Sequence, residues 1–275
     1  AKAFGGPERD GRPAEAILHE ALEAAAGADV IVAAVGESSG MSGECSSRSD
    51  LTLPDAQRDL LAALEKTGKP IVLVYFSGRS TVMTWENEHI PAILNVWFGG
   101  SEAGDAICDV LFGDRVPGGR LVTSMPKSTG QLPLYYNHLN TGRPERQWFS
   151  KFRSNFLDVD NDPLFPFGYG LSYTTFSYGE VRLDRHTLHE GGKITAAVDV
   201  TNTGAYDADE VVQLYIRDVA GSVSRPVKEL KGFRRISLKR GETKTVSFDV
   251  TTDDLRFYNA DLDYVYEPGE FELMI

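Results

Sequence analysis

The stretch that decides the fold is an apolar run, VIVAAV at residues 30–35, followed directly by a polar loop, GESSGMSGECSSRSDLTL at residues 36–53. A run of small and β-branched apolar residues is typical of a strand buried on both faces of a sheet. Within the loop, Glu44 is an acidic residue flanked by small ones. A folded protein that orders such a polar loop beside a buried strand often uses it for binding or chemistry. The loop equally fits a solvated linker to a helix that starts near Pro54.

The sequence on either side of this stretch alternates between helix and strand patterns. Apolar spacings of three and four predict helices over residues 13–26, 55–67 and 102–112. Apolar runs predict further strands over residues 70–76 and 91–98. Strands that alternate with helices through short loops predict an α/β sandwich domain, a mostly parallel sheet with helices on both faces. Ligands of such sheets bind at the carboxyl ends of the strands, and Glu44 follows the first of these ends.

The pattern changes in the second half of the chain. Residues 121–124 fit one more strand, and residues 131–173 are an irregular, aromatic-rich segment whose composition favours packing. After about residue 175 the alternation becomes that of an all-β sandwich, as in residues 192–202, where Val198 and Val200 are predicted to point inward. We therefore predict two domains, at residues 1–175 and 176–275.

Composition excludes several classes of function. The net charge of −12 argues against a nucleic-acid partner, since binding phosphates needs an excess of basic residues. No segment approaches the roughly 20 apolar residues of a membrane span. The two cysteines, Cys45 and Cys108, are too few for a structural zinc site, and whether they pair stays open.

Motif spacing argues against nucleotide, serine-hydrolase and metal chemistry. The glycines of the loop, at positions 36, 40 and 43, do not have the G-x-G-x-x-G spacing of dinucleotide sites. No G-x-S-x-G elbow is present, and the five histidines form no ligand pattern. No cofactor or metal is predicted. What remains is carboxylate chemistry, for which the residues alone do not favour Glu44 over Glu37, Glu86 or Glu102.

Six motifs lie in order along nearly the whole chain: SGECSSRSD at residues 42–50, WFGGSEAG at 97–104, DVLFG at 109–113, HLNTGRP at 138–144, FPFGYGLSY at 165–173 and SRPVKELKGF at 224–233. Together they closely resemble the carboxyl-terminal half of family 3 glycoside hydrolases. The periplasmic β-glucosidase branch looks most similar, and the last motif resembles the fibronectin type III-like domain of these enzymes. The resemblance implies such a β-sandwich for residues 176–275.

The resemblance also implies a retaining β-glycosidase, with a β-glucoside or related oligosaccharide as substrate. In that family an amino-terminal (β/α)₈ barrel supplies the nucleophilic aspartate, and the α/β sandwich supplies the acid/base glutamate. This glutamate falls at Glu44, beside Cys45, where family members usually carry alanine. Ser46 and Arg48 would then order the loop and bind substrate, although they equally fit packing of the loop alone.

A barrel takes about 250 residues, and nothing in the sequence fits one. The chain is therefore predicted to be a fragment that is inactive without its barrel partner. The resemblance implies a periplasmic or secreted location, while residues 1–7 show no export signal. The alternative is a non-catalytic scaffolding or docking module in which Glu44 is merely solvated.

Overall fold

The computed structural model describes residues 10–143 and 151–275. Residues 1–7 and Pro144 of the HLNTGRP motif lie outside these ranges. The described residues form two compact units. The first comprises the residues up to Ile107, with Ser124–Leu134 and Asp162–Phe165, and the second comprises those within Cys108–Thr123, Tyr135–Asn161 and Pro166–Ile275. The domain boundary between residues 175 and 176 stays a prediction.

The first unit is built on a small parallel sheet. Its elements, in chain order, are α1 (Ala14–Ala26), β1 (Ile31–Gly36), α2 (Asp55–Glu65), β2 (Ile71–Phe76), α3 (Thr84–His89) and β3 (Ala92–Asn95). The next helix, α4 (Ala103–Phe112), is divided between the two units after Ile107. The strand order is β1-β2-β3, and both pairings are parallel, with Ile31 opposite Ile71 and Val72 opposite Ala92. The predicted α/β architecture is confirmed.

Burial explains why these segments form the core of the first unit. On β2, Leu73 and Tyr75 have at most 1% of their surface exposed, as expected for the central strand of a parallel sheet. The face of α2 that carries Leu61 and Leu64 is buried as well. Each such side chain contributes about 1.5–3 kcal/mol to folding relative to an exposed one. The parallel pairing of β1 with β2 places their carboxyl ends side by side, with Gly36 opposite Phe76.

The second unit contains the β-sandwich. Its strands are β4 (Phe176–Tyr178), β5 (Arg182–Leu183), β6 (Lys193–Asn202), β7 (Ala208–Asp218), β8 (Glu229–Leu238), β9 (Thr243–Thr251), β10 (Phe257–Tyr258), β11 (Tyr264–Val265) and β12 (Phe271–Met274). One sheet pairs β6 with β4, β5 and β9, and another has the order β12-β7-β8. The predicted inward residues Val198 and Val200 are fully buried in the core.

Polar and aromatic contacts complete the second unit. The buried carboxylate of Glu210, on β7, accepts hydrogen bonds from Arg120 and from the Tyr178 hydroxyl. Burial and the adjacent Glu210 raise the pKa of Tyr178. In the irregular segment, Tyr136 stacks on Phe167 with ring centroids 4.2 Å apart. The predicted packing therefore holds for these two rings, whereas Tyr135 and Phe152 of the same segment are 65% and 78% exposed.

One predicted strand, over residues 121–124, is wrong. The backbone of Leu121 is hydrogen-bonded to an irregular segment and not to a neighbouring strand. The Leu121 amide donates to the Tyr169 carbonyl at 2.8 Å, and the Leu121 carbonyl accepts from the Gly168 amide at 2.7 Å. Val122 is 75% exposed, so residues 121–124 do not form a buried strand.

None of the helices within residues 10–143 and 151–275 has the length and apolar character needed to cross a bilayer. Cys45 and Cys108 are both exposed free thiols.

Candidate active site

The site begins where β1 ends. We call residues 37–54, which connect β1 to α2, the Glu44 loop. Gly36 has a φ of +141°, and a Cβ at this position would lie 1.9 Å from the carbonyl oxygen of Phe76. Only glycine fits such a close approach of two strands. The side-chain amide of Gln57, on α2, accepts from the Gly36 amide at 2.8 Å and donates to its carbonyl at 2.9 Å, which fixes the start of the loop.

The first residue of the Glu44 loop is Glu37, a buried carboxylate whose side chain is 1% exposed. Its oxygen Oε1 lies 3.0 Å from Arg48 Nη1 and 3.1 Å from Arg79 Nε, and Oε2 lies 3.3 Å from the hydroxyl oxygen of Ser77. Burial alone would raise the pKa of Glu37, but the hydrogen bonds from the two guanidinium groups outweigh it and lower that pKa. Glu37 is therefore an ionised anchor and not a proton donor.

Arg79, in the segment after β2, links Glu37 to the rest of the Glu44 loop. Its Nη2 donates to the carbonyl oxygens of Met41, at 2.5 Å, and Ser46, at 2.8 Å. These two carbonyls stand on opposite sides of Glu44 in the chain. The Arg79 side chain, at the end of the neighbouring strand, therefore binds the Glu44 loop both before and after Glu44.

Glu44 lies at the tip of the closed loop and is exposed. Its neighbours have left-handed backbone, with φ of +110° at Gly43 and +60° at Cys45. The Ser46 amide donates to the Gly43 carbonyl at 3.3 Å, which closes a tight turn around Glu44. The turn holds the carboxylate of Glu44 on the surface, where a substrate could reach it.

Ser46 and Arg48, which the sequence predicts as substrate contacts, lie on the same loop as Glu44. The hydroxyl of Ser46 donates to the Glu44 carbonyl at 3.4 Å. Arg48, whose side chain is 19% exposed, bonds to Glu37 and to the carbonyl of Thr52 at 2.9 Å. Both side chains therefore order the loop. Contact of either with a sugar stays a prediction.

The other carboxylates considered from the sequence occupy different settings. Glu86, on α3, is 3% exposed, and burial raises its pKa. Glu102 is exposed just before α4. Only Glu44, among the four, lies at the tip of a loop at the carboxyl end of a strand.

Arg79 is a residue of the site that the sequence patterns did not single out. Residues 37 and 79 are far apart in the chain, and the parallel pairing of Gly36 with Phe76 brings them together. A usable signal is nevertheless present, since opposite charges follow closely on the ends of two neighbouring predicted strands.

Comparison with known families identifies the family of the chain. The model of the glycosyl hydrolase family 3 C-terminal domain matches residues 8–173. The chain belongs to glycoside hydrolase family 3. A fibronectin type III-like domain model matches residues 210–275, so the predicted resemblance is confirmed for both parts of this family 3 chain.

Relatives of this family 3 chain are β-glucosidases and β-xylosidases. It is 52% identical over 267 residues to a periplasmic beta-glucosidase of Salmonella typhimurium, covering 97% of this chain and 35% of the relative. A beta-xylosidase of Formosa agariphila is 46% identical, with 93% and 35% covered. The structure of a beta-glucosidase from Listeria innocua in complex with gluconolactone has a TM-score of 0.88 at 38% identity, covering 98% of this chain and 37% of that one. The chain thus spans about a third of the relatives' length and corresponds to their carboxyl-terminal part.

Proposed function

We propose that this chain is the part of a retaining β-glucosidase that supplies the general acid/base, Glu44. The observation that carries the proposal is the exposed Glu44 carboxylate at the tip of an ordered loop, at the carboxyl end of a parallel strand. The similarity to a periplasmic β-glucosidase over 97% of the chain supports a β-glucoside as substrate. The same relative supports a periplasmic or secreted location.

The rest of the catalytic site belongs, in this proposal, to the part of the relatives that this chain does not span. An amino-terminal (β/α)₈ barrel there supplies the nucleophilic aspartate and holds the sugar. Ser46 and Arg48 border the sugar from the Glu44 loop in the same proposal: Ser46 is two residues beyond Glu44, and part of the Arg48 side chain stays exposed.

The reaction then proceeds in two steps. In the first, Glu44 donates its proton to the glycosidic oxygen while the aspartate attacks the anomeric carbon, so the leaving alcohol departs and a glycosyl-enzyme forms. In the second, the Glu44 carboxylate takes a proton from water, whose oxygen displaces the aspartate from the anomeric carbon. Glu44 is thereby protonated again, and the sugar is released with its β configuration.

The experiment that tests this function follows product stereochemistry. The complete enzyme, with its barrel, is mixed with an aryl β-glucoside, and the anomeric protons are observed by NMR during the first turnovers. We expect the β anomer of glucose to form first and to convert slowly to the mixture of anomers. Release of the α anomer first, or no hydrolysis of any β-glycoside, would show the proposed function to be wrong.

A further inference from the structure

The contacts of Arg79 are directed almost entirely at the Glu44 loop and its anchor. Its Nε lies 3.1 Å from one oxygen of Glu37 and 3.2 Å from the other, and its Nη2 reaches the carbonyls of Met41 and Ser46. The side chain is only 23% exposed. Charge-assisted hydrogen bonds of this kind are about twice as strong as neutral ones, so one guanidinium contributes much of the order of the loop.

The segment that carries Arg79 is itself fixed against the loop. The Ser77 hydroxyl donates to the Arg79 carbonyl at 2.7 Å, and the Arg79 amide donates back to the Ser77 hydroxyl at 3.1 Å. A Cβ on Gly78 would lie 2.1 Å from the hydroxyl oxygen of Ser42, so the two segments touch closely next to the tip. The position of Glu44 is therefore set from the end of β2, through Arg79, as well as from the end of β1.

These contacts need an arginine. The planar guanidinium offers donors in fixed directions, and here Nε faces the carboxylate of Glu37 while Nη2 faces the two carbonyls. The single ammonium of a lysine keeps the charge but has no second, separately directed donor group. A lysine at this position would pair with Glu37 and leave the carbonyls of Met41 and Ser46 without this bridge.

We propose that Arg79, oriented by Glu37, is a positioning residue that holds the Glu44 carboxyl group at the place where it protonates the glycosidic oxygen. This inference rests on the proposed function of Glu44 and adds a residue to it. Arg79 touches neither the substrate nor the reacting atoms in this role, and it acts only through the geometry of the Glu44 loop. A proton donor displaced by about 1 Å can lose about 100-fold in rate.

The test compares two substrates in the complete enzyme, one with a poor alkoxide leaving group and one with a dinitrophenolate leaving group that departs without protonation. In Arg79→Lys we expect kcat/KM for the alkyl β-glucoside to fall about 100-fold, while kcat/KM for the dinitrophenyl β-glucoside falls by less than about 3-fold. A merely structural defect reduces the active fraction and lowers both values equally. The matched control is Arg58→Lys, since Arg58 is a half-exposed arginine on α2 whose ion-pair partner is Asp55. Both substrates should react at unchanged rates in this control.

A second readout does not depend on activity. Amide hydrogen exchange of the Glu44 loop should become about tenfold faster in Arg79→Lys, while exchange of β2 stays unchanged. If Arg79→Lys does not fold, Glu37→Gln replaces it, because that change removes the charge that orients Arg79 and should give the same selective loss.

Two patterns of results would overturn the inference. In one, Glu44→Gln loses activity only on the alkyl β-glucoside, while Arg79→Lys either loses activity equally on both substrates or leaves amide exchange of the Glu44 loop unchanged. The inference about Arg79 then fails, and the proposed function of Glu44 stands. In the other, Glu44→Gln itself does not discriminate between the two substrates, which overturns the proposed function and the role of Arg79 with it.

Discussion

Replacing Glu44 with glutamine in the complete enzyme is expected to lower kcat/KM for an alkyl β-glucoside by about 10²- to 10⁴-fold, the usual contribution of a general acid. Glutamine has nearly the same shape but no proton to give, so the leaving alkoxide must depart unprotonated. Because Glu44 is exposed at a loop tip, this substitution should not disturb the core. Steady-state kinetics with alkyl and dinitrophenyl β-glucosides measures the effect.

The dinitrophenyl substrate and a second variant serve as controls for Glu44→Gln. The dinitrophenyl β-glucoside should keep nearly its full kcat/KM, since its leaving group needs no proton. Azide should speed the turnover of this substrate by Glu44→Ala and give a β-glycosyl azide, because the small anion attacks the glycosyl-enzyme without a general base. Glu88→Gln removes an exposed carboxylate on α3 of the same unit and should leave both rates unchanged. An unchanged rate for Glu44→Gln on the alkyl substrate would favour the docking-module alternative.

The chain of 275 residues by itself is expected to give no turnover of an aryl β-glucoside above the uncatalysed rate. Retaining hydrolysis needs two carboxyl groups about 5–5.5 Å apart, and in our proposal the second one and the sugar-binding site lie on the barrel. A general acid alone protonates a leaving group only where a sugar is held in a reactive position. The measurement is the release of nitrophenol by the purified chain, next to the same molar amount of complete enzyme.

This prediction requires that the isolated chain be folded. A cooperative thermal transition and near-ultraviolet circular dichroism of the buried aromatic residues establish that. Saturable turnover by the folded chain, abolished by Glu44→Gln, would contradict the division of catalytic groups between two parts of the enzyme.

Much of the fold follows from the sequence because its strands are simple in pattern. The apolar runs at residues 30–35 and 70–76 correspond closely to β1 and β2, and the strict alternation of residues 192–202 corresponds to β6. The strand β8 has no such pattern, since Phe233 is 67% exposed and arginines follow it. Its position depends on pairing with β7, which is information that the local sequence does not contain.

The site was less predictable than the fold. Nothing local separates Glu44 from the other glutamates, and it was the family resemblance that singled it out. The ion pair between Glu37 and Arg79 depends on the register between β1 and β2, so it forms only when the sheet does. The roles of Ser46 and Arg48 follow from the same resemblance, and the structure shows what they bond to within the loop.

The most direct measurement is a crystal structure of the complete enzyme with an intact β-linked disaccharide, captured by replacing the nucleophilic aspartate with asparagine. We expect a carboxyl oxygen of Glu44 within about 2.6–3.2 Å of the glycosidic oxygen, on the side of the sugar opposite the asparagine. A bound disaccharide whose glycosidic oxygen lies beyond hydrogen-bond reach of Glu44, with another side chain in that place, would contradict the assignment of the proton donor.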